Sequence, residues 1–210
     1  DSLYEQALTE CHEMLEIVRE MFNESINSLR NSDTAEIPID IYAMDQKINS
    51  FERDVRRKVM THLAISGSKD LGSGLILTSV VIDIERIGDY TKNIYDLATN
   101  YPKKLVGDSL EERLLKIENN TKDYFNKTID TFKSQDIDSA RDLMSHYKEE
   151  ISEVSSSIVE DIISGKDNNI NAAQAASISL YSRYLKRIAA HSRNLISSIV
   201  NPFERIGYPE

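Results

Sequence analysis

The sequence predicts an all-α fold of two tandem three-helix bundles, six helices in all, and three observations carry that expectation. Apolar residues recur at spacings of three and four, as in Leu8, Leu15, Val18, Phe22, Ile26 and Leu29, which is the period of an amphipathic helix. No segment alternates convincingly as a half-buried strand would. Proline stands at Pro38, Pro102, Pro202 and Pro209, outside the periodic stretches, as expected of a residue that removes an amide donor and clashes with the preceding turn. Finally, a shift of about 101–103 residues lays Phe22-Asn23 on Phe125-Asn126, Ile26 on Ile129, Ile48 on Ile151, Arg86-Ile87 on Arg187-Ile188 and Asn93 on Asn194.

The first helix spans 2–30 on its stripe of threes and fours. The second, 39–65, follows Pro38, and Ser66-Gly67-Ser68 turns the chain into the third, 70–99. Asn100-Tyr101-Pro102 then divides the chain near its middle. Ser109 and Glu112 have the spacing of a capping box and open the fourth helix, 109–134. The fifth, 137–164, ends at Gly165-Lys166-Asp167, and the sixth runs 168–200. These limits give a first bundle over residues 1–102, a second over 103–200 and a tail over 201–210, each bundle burying its stripes internally.

Composition narrows the function. The 210 residues carry 25 Lys and Arg against 35 Asp and Glu, a net charge of −10 that repels phosphate backbones and anionic lipid and so argues against nucleic acid as a partner. A single cysteine, Cys11, forms no internal disulfide, which fits a reducing compartment. The most apolar stretch, Leu75 to Ile84, is interrupted by Thr78, Ser79 and Asp83 and falls far short of the roughly 20 residues a membrane span needs.

The chemistry concentrates in Asp83-Ile84-Glu85-Arg86-Ile87-Gly88-Asp89-Tyr90. Glu85 and Asp89 are four apart, so both carboxylates lie on one side of the third helix, a mildly repulsive spacing that a solvated face or a bound cation would explain. Gly88 between them weakens the helix and suggests a close backbone approach. Asp45 and Asn49, also four apart, offer a second pair on the second helix, with Glu52 and Asp54 nearby. Oxygen donors from two facing helices are the pattern of carboxylate metal sites in helical cores. His12, His62, His146 and His191 form no short-spaced ligand pair, no Ser-His-Asp arrangement or phosphate-binding loop is present, and the Glu-x-x-His motif of carboxylate-bridged metalloenzymes is missing. The run Arg53, Arg56, Arg57, Lys58 is interleaved with Glu52 and Asp54 and reads first as a solvated face, second as a docking surface for a protein.

Glu85-Arg86-Ile87-Gly88-Asp89-Tyr90-Thr91-Lys92-Asn93-Ile94, with the lead-in from Leu71 to Ile82 and the earlier Asp45, Ile48 and Glu52, resembles the signature of the PhoU family of phosphate-uptake regulators. The resemblance covers about residues 1–200 and implies two tandem three-helix bundles and a non-enzymatic, cytoplasmic, metal-binding adaptor. Its partners would be a phosphate transporter component and a sensor histidine kinase, and it would self-associate as a homodimer. In that family acidic pairs on the second and third helices of each repeat hold clusters of iron, zinc or nickel. Carried over, Glu85 and Asp89 match fully, Asp45 matches, and Asn49 departs from the acidic pattern. The second repeat departs further, with Lys186 and Ala190 opposite Glu85 and Asp89, and Lys148 and Ser152 opposite Asp45 and Asn49, so any metal is expected in the first bundle only. PhoU-like bundles also form the cytoplasmic portion of sodium-dependent phosphate cotransporters, which gives an alternative reading, and a chain opening on Asp1 fits a piece of such a longer product.

Overall fold

The computed structural model describes residues 2–210. Its helices are α1 (Leu3–Asn31), α2 (Ile41–Ser66), α3 (Leu71–Asn100), α4 (Glu111–Ser134), α5 (Ile137–Tyr147), α6 (Glu153–Ile163) and α7 (Ala172–Val200). A π turn, Lys148–Ser152, joins α5 to α6, so these two and the turn make up the single fifth helix that the periodicity predicts. Six rods therefore form two up-down-up units, α1-α2-α3 and α4-α5/α6-α7.

Local chemistry fixes where the rods begin. Ser2 and Glu5 cap α1 reciprocally, Asp40 accepts from the Ala43 amide to start α2, and Asn171 with Gln174 forms the same reciprocal cap on α7. That last cap sets the start of α7 at Ala172, four residues after the expected start at 168. The expected capping box of Ser109 and Glu112 does not form. A 3-10 turn over Asp108–Leu110 leads into α4, and the Ser109 hydroxyl donates to Asp167 instead. Glu111 takes over the junction, accepting from the Gly107 amide at 2.6 Å and pairing with Arg30 of α1.

The duplication is written in the burial pattern. Every buried position of α1 recurs buried 103 residues later: Ala7 on Leu110, Cys11 on Leu114, Met14 on Ile117, Leu15 on Glu118, Val18 on Thr121, and so on through Phe22 on Phe125 to Leu29 on Phe132. From α3 to α7 the offset is 101, with Leu77 on Ile178, Ile84 on Leu185, Gly88 on Ala189 and Ile94 on Leu195. In the second rod it changes. Ile41 and Asp45 fall on Leu143 and Tyr147, 102 residues on, whereas Ile48 and Val55 fall on Ile151 and Ile158, 103 on. The π turn lies between them and accommodates the one extra residue of the second repeat.

The two bundles do not bury their stripes separately, contrary to the expectation from sequence. α3 packs on α1 and α2 and equally on α7, and the buried apolar side chains of both halves form one continuous cluster. Phe22 and Phe125, equivalent residues, meet edge to face with centroids 5.5 Å apart. A three-helix unit of this length leaves one flank of its third helix uncovered, and the equivalent flank of the other repeat covers it. Polar ties cross the same seam. Asp83 of α3 accepts from His191 Nδ1 at 2.8 Å and from Asn194 Nδ2 at 2.9 Å, and both Asp83 and His191 are largely buried. Arg30 of α1 donates through Nε to Glu118 at 3.0 Å, and the same Glu118 oxygen accepts from the buried Tyr181 hydroxyl at 2.6 Å.

Because Asp83 receives two donors at a buried seam, Asp83→Ala leaves both unpaired and is expected to lower stability by about 2–3 kcal/mol. Chemical denaturation checks this, and a double-mutant cycle with His191→Ala is expected to show coupling, whereas additive losses would mean that the pair does not act together.

Candidate functional site

The hairpin α2-α3 builds the candidate site. Contacts pair Leu63 with Gly74, Ile48 with Gly88 and Asp45 with Lys92, so the helices run antiparallel and bring Glu52 beside Glu85. The Leu63 end is the tighter one: a Cβ on Gly74 would come within 2.8 Å of Leu63 Cδ1. At Gly88 the approach is looser, since an added Cβ would meet Val18 and Ile48 methyls at 3.6 and 3.7 Å, ordinary contact distances. The residue between the two α3 carboxylates therefore leaves room for a methyl group.

Glu85 is largely withdrawn from solvent, with 13% of its side chain exposed. Burial first, then its hydrogen bond with Asp89, then the negative charges of Asp89 and Glu52 push its carboxyl up to about 7, with Arg86 alone opposing. Glu85 therefore keeps its proton well above the ordinary carboxylate range and donates it to Asp89. Arg86 lies 3.5 Å from Asp89 and 3.7 Å from Glu85 on the solvent side, and Glu52 is paired with Arg56 at 2.9 Å. On the inner side Asp45 Oδ2 accepts from Lys92 Nζ at 3.3 Å, while Asp45 Oδ1 is buried with no hydrogen-bond partner. Lys92 Nζ is also 3.9 Å from Asp89.

These distances test whether the four sequence-predicted ligands suit a metal. The structure does bring Asp45 on α2 to the same face as Glu85 and Asp89 on α3, and Asn49, half-buried, lies on α2 one turn from Asp45. Among the carboxylates of the set, the orphan Asp45 Oδ1 is free to bind a cation. The other carboxylates already have partners: Glu85 and Asp89 each other and Arg86, and Asp45 Oδ2 the Lys92 ammonium. Among the described residues no three His, Cys, Asp or Glu side chains converge as a metal-holding group. As arranged, the set is a carboxylate face neutralised by the chain's own cations and does not fit the cluster that the resemblance implies.

The second bundle shows what happens to the same positions. Lys186, opposite Glu85, donates to Ser156 Oγ at 3.1 Å, and Ala190 stands opposite Asp89. Because of the π turn, the buried residue opposite Asp45 is Tyr147; Lys148, the expected equivalent, is turned to solvent with 81% of its side chain exposed. Arg193, opposite Lys92, lies over the Tyr147 ring at 5.1 Å. Lys92 stands seven residues after Glu85, two helical turns on, and that spacing is the sequence signal that it shares the carboxylate face. Asp83, His191 and Asn194 gave no such signal, since they meet only through the packing of the two bundles.

The architecture and this face define a duplicated helical-bundle protein whose repeats share a frame and differ in the charge they carry on it. The family model of the PhoU domain matches twice, over residues 11–98 and 114–199, and the chain belongs to that family. Its fold matches the crystal structure of PhoU from Pseudomonas aeruginosa with a TM-score of 0.83 at 19% identity, over 94% of this chain and 95% of that one. The phosphate transport system regulatory protein PhoU from Streptococcus pneumoniae matches with a TM-score of 0.72 at 18% identity, over 94% and 91% of the two chains. Among curated proteins no match was found.

Two outcomes follow from the geometry. Unfolded, the Glu85 carboxyl returns to its ordinary value near 4.5, and between there and about 7 the native state binds the proton more tightly, so the stabilisation is full below the lower value and lost as pH rises through the upper. Glu85→Gln, which mimics the protonated acid, is expected to match wild type near pH 5 and to exceed it by about 1–2 kcal/mol at pH 8, read from denaturation midpoints at the two pH values. Gly88→Ala is expected to raise stability by about 0.5–1 kcal/mol, because it adds helix propensity without a clash; a fall would mean that the backbone there needs the space.

Proposed function

We propose that this protein is a non-enzymatic, cytoplasmic regulator that restrains phosphate uptake by docking on a phosphate transporter component and relaying its state to a sensor kinase. The observation that carries this reading is the double match of the PhoU domain, which spans both bundles in register with the duplicated burial pattern. The Streptococcus pneumoniae protein of the same fold is described as a regulatory protein of a phosphate transport system, and the reading extends that role to this chain. Among the described residues no helix is long and apolar enough to cross a membrane, which accords with an adaptor that meets its transporter from outside the bilayer.

The adaptor reading has a physical correlate. α1, α3, α4 and α7 are committed to the shared core, whereas the outer rod α2 and its turn into α3 keep large apolar side chains in solvent: Met60, Ile65, Leu71 and Leu75. An exposed apolar group of this kind at a helix-turn-helix tip is suited to receive a partner helix or loop. The basic run beside it is largely satisfied within the chain, Arg56 by Glu52, Arg57 by Asp54 and Lys58 by Glu10, and so contributes little net charge.

In cells lacking the gene, a phosphate-starvation reporter is expected to be switched on in phosphate-rich medium and to be silenced again by the wild-type gene. Met60→Asp with Ile65→Asp is expected to leave helicity and melting unchanged but to lose both silencing and co-purification with the transporter component. Silencing by the double variant at wild-type level would remove the α2 tip from the docking surface, and a reporter indifferent to the gene would refute the regulatory role.

A further inference from the structure

The first bundle carries more carboxylate than its surroundings neutralise from outside, and the structure points to where the compensation comes from. Lys92 extends from α3 toward α2, and its ammonium lies 3.3 Å from Asp45 Oδ2 and 3.9 Å from Asp89 Oδ1. No other cation touches Asp45 among the described ion pairs. The residue one repeat away is Arg193 on α7, which reaches toward the α5 end of the second rod in the same way and lies over Tyr147, the residue that stands where Asp45 stands. A cation from the third helix is thus set against the second helix at the equivalent place in both bundles. Where the second helix offers a carboxylate, an ion pair forms; where it offers an aromatic ring, a cation–π contact forms. The lysine belongs to the duplicated frame and is not an incidental surface charge.

We propose that Lys92 is the resident cation of the first bundle: its ammonium, bridging Asp45 and Asp89, supplies the positive charge that a bound metal would supply, and the carboxylate face keeps its arrangement without one. The reasoning is electrostatic. A divalent ion placed between Asp45 and Asp89 would sit within a few ångströms of Lys92 Nζ and would have to displace it, losing the Asp45 ion pair and meeting a like charge on the way. The inference is independent of the regulatory role, since it concerns how the bundle is neutralised and not what it docks on.

The test uses the full-length untagged protein, its Lys92→Met and Lys92→Arg variants, and Zn2+, Ni2+ and Fe2+ as probes. Metal content is read by elemental analysis, affinity by calorimetric titration and stability by thermal melting with and without chelator. Wild type and Lys92→Arg are expected to be purified with far less than stoichiometric metal and to melt at the same temperature with chelator, without it and with added ions. Lys92→Met is expected to bind at least one of the ions at least about tenfold more tightly than wild type, because a like charge close to the site has been removed. Its melting temperature is then expected to rise on adding that ion. Should Lys92→Met unfold on its own, the same reasoning expects the ion to refold it. Near-stoichiometric metal in wild type, lost in Glu85→Ala with Asp89→Ala, would overturn the proposal. So would a Lys92→Met protein, folded or unfolded, that gains nothing from any of the three ions.

Discussion

The contact on which the rest depends is the lengthwise packing of α3 against α7, the third helices of the two repeats. It turns two three-helix units, each with an uncovered flank, into one core, and it has a directional component at Asp83. A carboxylate withdrawn from water costs several kcal/mol unless its lone pairs are used. Here His191 and Asn194 use them from the opposite bundle. Arg187 approaches His191 Nε2 at 3.2 Å, so the ring can donate through Nδ1 to Asp83 and accept through Nε2. Apolar packing alone would allow the two helices to slide; a buried acceptor with two fixed donors selects one register.

Once that seam is fixed, the repeats are free to differ elsewhere, and they differ in chemistry more than in shape. Leu15 of α1 is apolar, whereas its counterpart Glu118 is a buried acid held by Arg30 from the first bundle and Tyr181 from α7. Burial and the Glu118 charge push the Tyr181 hydroxyl well above its ordinary range, so it remains a donor at any physiological pH. The first bundle carries carboxylates on the α2-α3 face and, at Asp83, in the seam; the second carries Glu118 in the seam. Each is answered by cations or hydrogen-bond donors of this same chain, which lets a strongly acidic protein bury part of its charge.

How much of this the sequence discloses follows from which forces are local. The α1 stripe was readable because all its buried positions obey one period, and α4 repeats it without insertion. The acidic pair Glu85 and Asp89 was readable for the same reason, being one helical turn apart. The second rod was not, because an amphipathic pattern does not distinguish a straight helix from one carrying a π turn; one added residue moves Tyr147 into the place that a constant offset assigns to Lys148. Nor was the seam, since a stripe buried against its own bundle and a stripe buried against its twin have the same composition. The capping box at Ser109 does not form for a related reason: its competitor Asp167 lies 58 residues after it and becomes a neighbour only in the folded chain.

The division of labour among the rods then bears on function. Four of the six are spent on the common core, and substitutions on their inner faces alter stability before anything else. α2 is different, since its inner edge carries Asp45 and Glu52 while its outer face and tip carry Met60 and Ile65, so one helix joins the charged face to the exposed apolar end. The α2-α3 hairpin is closely packed where Leu63 meets Gly74 and tied by an ion pair where Lys92 meets Asp45. A change in charge at Glu85 therefore bears on the same hairpin that presents the tip, and the short turn at Gly67 gives the two ends little freedom to move apart.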